Sequence, residues 1–150
     1  MAYITKELLS ERLGVTLYAR LTDRVQGTTA NDTVGQQLVE AAEAEVNSYL
    51  ARRYATPVDH DTRPELSAVL RARVLDVAEY LAWKGSPFVS DPPQRVQALY
   101  AGALRWLEQV TAGQVALPAA APPAGSTAQP AAPQYAASPR RFTAAELEGL

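Results

Sequence analysis

The chain has 150 residues, a formal charge of −2 and no cysteine. That length allows one domain with a real core plus an appendage. The slightly acidic balance argues against a protein whose main task is neutralising nucleic-acid phosphates, and the missing thiols exclude a disulfide framework or a thiolate metal site.

The opening MAYITKELLSERLG carries charge within its first turns and lacks the apolar stretch of an export signal. No run approaches the roughly 20 apolar residues that crossing a bilayer requires, so a soluble protein with no membrane partner is expected. Thr5 is placed to cap a short helix with Leu8, Leu9 and Leu13 on one side, and Gly14 supplies its stop. A second short element follows through Leu17, Tyr18 and Leu21. TDRVQGTTANDT, from Thr22 to Thr33, has no periodicity and reads as an exposed loop, with Thr33 capping the next element. Leu38, Ala42, Val46, Tyr49 and Arg53 then recur at helical spacing, which predicts a long amphipathic helix from Val34 to about Tyr54.

Pro57 breaks that helix, and Pro64 starts another at a position where the missing N–H costs nothing. Leu66, Val69, Leu70, Val74, Val77, Tyr80 and Leu81 make an apolar stripe wide enough for two neighbours, the signature of a central helix ending at Lys84 and Gly85. Asp91-Pro92 opens the last long helix, with Val96, Leu99, Tyr100, Ala103, Leu107 and Val110 inward and Gly113 as its stop. The fold class is therefore all-α: residues 1–117 form a small antiparallel helical bundle of three long helices plus one or two short N-terminal ones.

Composition then changes abruptly. Residues 118–139 are dominated by Ala and Pro with no charge, the composition of an extended linker; its 22 residues span up to about 70 Å at about 3.1 Å per residue. Residues 140–150 differ again: Arg140 and Arg141 restore charge, Phe142 is a large apolar anchor, and Thr143 to Glu146 has capping-box spacing before Leu147 and Leu150. A solvating tail has no need of that combination, which reads as a docking peptide on a tether.

Catalysis has no visible seat. His60, alone between Asp59 and Asp61, lacks the further ligands or nucleophile that a metal centre or a hydrolase needs, and reads as part of a solvated interhelical loop. The loop beginning at Asp23 fails the calcium-loop pattern, because Val25 and Gly27 stand at its third and fifth positions. Arg52-Arg53, Arg71 and Arg73 lie on glutamate-rich helices and read as solvated faces or intersubunit ion pairs. Tyr80, Trp83, Tyr100 and Trp106 have the spacing of core or subunit packing rather than of a base-stacking platform. No cofactor is expected.

YITKELLSERLG, LYARLTDR, EVNSYLARRYATPV, RVQALYAGALRWLEQVTAGQVALP and the terminal RRFT, in that order, resemble the small head-to-tail connector proteins of tailed bacteriophages, specifically the Mu-like group. The loop after LTDR, richer in Asp and Gly in many relatives, is VQGTTAN here, so no ion site carries over. The resemblance implies a structural virion protein of the neck, a ring of typically twelve copies that joins the portal protein to the next neck or tail protein. Double-stranded DNA would pass through its lumen without specific binding. It also implies that Arg140, Arg141, Phe142, Leu147 and Leu150 form the segment that docks on the portal. The alternative is a soluble helical adaptor in a bacterial complex, using the same tail as a linear binding motif.

Overall fold

Five helices account for the regular structure of residues 2–61, 63–118 and 120–123, the residues that the computed structural model describes. They are α1 (Lys6–Leu13), α2 (Val15–Thr22), α3 (Asp32–Leu50), α4 (Pro64–Gly85) and α5 (Gln94–Thr111), with no strand among the described residues. The all-α reading holds. Thr5 caps α1 through a bond from the Leu8 N–H, and Gly14, at φ +80°, makes the corner into α2 that a side chain would strain.

Three boundaries differ from expectation. Asn31, not Thr33, caps α3: its side-chain oxygen accepts from the N–H groups of Thr33 and Val34 at 3.1 and 3.2 Å, which places Thr33 inside the first turn. α3 stops at Leu50 rather than Tyr54. Tyr54, beyond the helix, is buried through a tertiary contact described below, whereas Arg53, which the helical spacing included, is exposed. α5 begins at Gln94, after both prolines, with Gln97 Nε2 donating back to the Pro92 carbonyl.

The central position of α4 follows from its apolar stripe. Leu66, Leu70, Val74, Val77, Ala78 and Ala82 are buried, and the helix touches all four others. Each fully buried Leu or Val there contributes about 2 kcal/mol, more than any single cap, so packing rather than propensity decides the arrangement. Val69, in phase with that stripe, is nevertheless 41% exposed. α4 and α5 run antiparallel: Glu79 meets Arg95, Tyr80 stacks on Tyr100 with ring centroids 3.9 Å apart, and the Arg73 guanidinium lies over Trp106. α3 runs alongside α5, with Glu45 accepting from the Tyr100 hydroxyl and the Tyr49 carbonyl from Thr111.

A seam of charge ties α1 to this frame. Arg12 reaches the buried carboxylates of Asp76 and Glu79 at 2.6 and 2.7 Å, while Arg73 and Arg95 approach the same carboxylates at 3.6 and 3.1 Å. Buried carboxylates without such partners would destabilise the core, so α4 carries acids on an inward face only because three arginines meet them. Close approach fixes a second contact: a Cβ at Gly35 of α3 would collide with the buried Tyr18 hydroxyl of α2.

Candidate functional site: the root of the arm

The bundle has two ends. At one, the connection 23–31 lies against 86–93. At the other, the connection 51–63 meets the chain leaving α5, where the Ala/Pro-rich arm begins.

At the first end, Asp23 organises the loop. One carboxylate oxygen accepts from the N–H groups of Val25 and Gln26 and the other from those of Thr28 and Thr29, at 2.8–3.2 Å. These four bonds, Val25's foremost, hold the Asp23 carboxyl well below the usual carboxylate range. Backbone donors fill the place a cation would take, and the described residues contain no cluster of metal-ligating side chains. Gly27, at φ +71°, passes close beneath the Phe88 ring.

At the second end, side-chain hydroxyls do the equivalent work from inside the core. The Tyr3 hydroxyl donates to Asn47 Oδ1 and accepts from the buried Val58 N–H, both at 2.7 Å. The Tyr54 hydroxyl accepts from the Leu117 N–H at 2.9 Å, and the Ala55 N–H donates to the Ala121 carbonyl at 2.8 Å. The first residues of the Ala/Pro tract are thus fastened to the domain, with Leu117 buried and Ala120 packed on the core. Gly113, at φ +80°, turns the chain out of α5 at a point where a Cβ would also strike the Arg53 guanidinium.

Beside this root lies an apolar groove of about 180 Å³. Leu66 and Val69 of α4, Trp106 of α5, and Val115, Leu117 and Pro118 line it, with Glu65 at its edge. The outward turn of Val69 and the partial exposure of Trp106 belong to this groove. The amino-acid pattern alone did not reveal it, because Val69 sits in phase with the buried stripe.

His60 is a correction: it is 5% exposed rather than solvated, its ring 5.2 Å from that of Tyr3 and its Nδ1 3.2 Å from the Val58 carbonyl oxygen. Of the arginines singled out, Arg52 and Arg71 are exposed, Arg53 lies over Gly113, and Arg73 covers Trp106. Tyr80, Trp83, Tyr100 and Trp106 are half-buried; the last three pack against the core, and Tyr80 stacks on Tyr100. The residues expected to dock, Arg140, Arg141, Phe142, Leu147 and Leu150, lie outside the described residues, as do positions 124–139 of the expected linker. No described helix is long and apolar enough to cross a membrane.

The described residues thus form a five-helix domain with a fastened, Ala/Pro-rich extension. A family model described as Bacteriophage Mu, Gp36 matches residues 3–134, most of the chain and well into the Ala/Pro tract. The chain belongs to this bacteriophage Mu family, which makes it a phage structural or morphogenesis protein. No curated protein matches it.

Proposed function

We propose that the chain is a head-to-tail adaptor: a subunit of a ring, of twelve copies, that sits beneath the portal in the neck of a phage or phage-like particle. It links the portal to the next neck or tail component. One observation carries the reading: the family match extends from residue 3 to residue 134, so the domain and the start of its tether fall within one family unit. The fastened root supports it, because Tyr54 and Ala55 hold the arm's first residues against the domain. A pull on the arm is then transmitted to the bundle.

In this role Arg140, Arg141, Phe142, Leu147 and Leu150 dock on the portal, each copy losing ordering entropy that many simultaneous contacts offset. The net acidic chain suits a lumen through which DNA slides without being gripped. No catalytic step is required of it. The test is retention of the purified protein on a portal ring. Deleting Arg140–Leu150 is expected to abolish retention while the domain keeps its helical content and its cooperative unfolding; a truncated chain that still binds refutes the arm's role. Co-purification with a host protein instead of the portal overturns the adaptor assignment.

A further inference from the structure

We infer that the groove beside the arm's root is the resting place of the chain's own terminal segment, Phe142–Leu150, when no partner is bound. This deepens the docking-arm reading and rests on it for its regulatory meaning. Three observations converge on that occupant.

First, the groove is apolar and unfilled, and one wall is the chain leaving the domain, Leu117 and Pro118. Only 18 residues, 124–141, separate the last described residue from Phe142. A tether of that length reaches back to the groove beside Pro118, so the contact is intramolecular and gains from effective concentration. A weak contact is then enough for occupancy.

Second, the terminal segment has one apolar face. Phe142 immediately precedes the capping-box Thr143 and Leu147 lies four residues beyond that cap, the spacing of a hydrophobic staple. A Phe142–Leu147 knob suits a groove floored by Trp106 and walled by Leu66 and Val69.

Third, the charges match. Glu65 lines the groove and Arg140-Arg141 immediately precede Phe142, so the groove holds a carboxylate for the cationic pair that comes with the aromatic anchor.

The consequence is a self-occupied adaptor whose plug must leave its own groove before engaging a partner. Because the chain has no native cysteine, paired cysteines report the contact directly. In the full chain, Ala116→Cys with Ala145→Cys is expected to form an intrachain disulfide about tenfold faster than Ala30→Cys with Ala145→Cys, which probes the opposite end of the bundle. Adding Phe142→Ser, or Val69→Asp at the exposed groove wall, should slow the Ala116–Ala145 pair severalfold, with melts confirming an intact domain. Equal rates for the two pairs, insensitivity to Phe142→Ser, or disulfide-linked dimers in place of the intrachain product would overturn the inference, the last assigning the groove to a second copy. Val69→Asp should also tighten portal binding about tenfold, by freeing the plug. The cysteine experiment contains no portal, so its failure leaves the adaptor reading standing, and failure of portal binding leaves the groove result readable.

Discussion

The two ends of the bundle solve one problem in opposite ways. Both 23–31 and 55–63 are polar stretches with no helical periodicity, and both read as solvated loops. At the 23–31 end a single carboxylate gathers four neighbouring backbone N–H groups, so the order is local and ionic. At the 51–63 end two tyrosine hydroxyls, contributed from 55 and 63 residues away, satisfy buried N–H groups of Val58 and Leu117, so the order is long-range and neutral. A loop held by its own residues folds and unfolds alone, whereas one held by distant side chains is tied to the global fold. The arm is rooted at the second kind.

Tyr3→Phe should separate the two ends most strongly. It leaves the buried Val58 N–H without its acceptor and strips Asn47 of its donor, a loss of about 2 kcal/mol in denaturant unfolding with the whole domain affected. Tyr54→Phe should cost about 1 kcal/mol and speed exchange of the Leu117 amide, loosening the arm's root while α1 and α2 keep their protection. Asp23→Asn should have the smallest global effect, with faster exchange confined to Val25, Gln26, Thr28 and Thr29; a cooperative loss of stability throughout would erase the contrast. Acid sharpens the same point. The Asp23 carboxyl titrates lower in the folded chain than in the unfolded one, so its contribution is complete above the unfolded carboxylate value. It fades as pH falls below about 4 toward the lower folded value, and the four amides of this loop should lose protection there before the tyrosine-held end does.

Where local chemistry decides, the amino-acid pattern was legible. The α4 stripe, the stops at Gly14 and Gly113 and the cap at Thr5 all follow from neighbours within a few residues. Where a distant partner decides, it was not. Asp76 and Glu79 look like the solvent face of a helix until Arg12, more than sixty residues earlier in the chain, arrives to meet them. His60 is buried because Tyr3 covers it. Nor did spacing reveal the groove, since Val69 keeps the phase of its helix and only the course of residues 115–118 leaves it uncovered. The segment proposed to dock, Arg140–Leu150, lies outside the described residues, so its reading rests on composition and spacing alone.

The backbone bond between Ala55 and Ala121 fixes more than a position. It sets a bearing: the strap departs from every copy of the domain along the same heading relative to the bundle. In the ring proposed above, that heading at residues 121–123 would repeat from copy to copy like the spokes of a wheel.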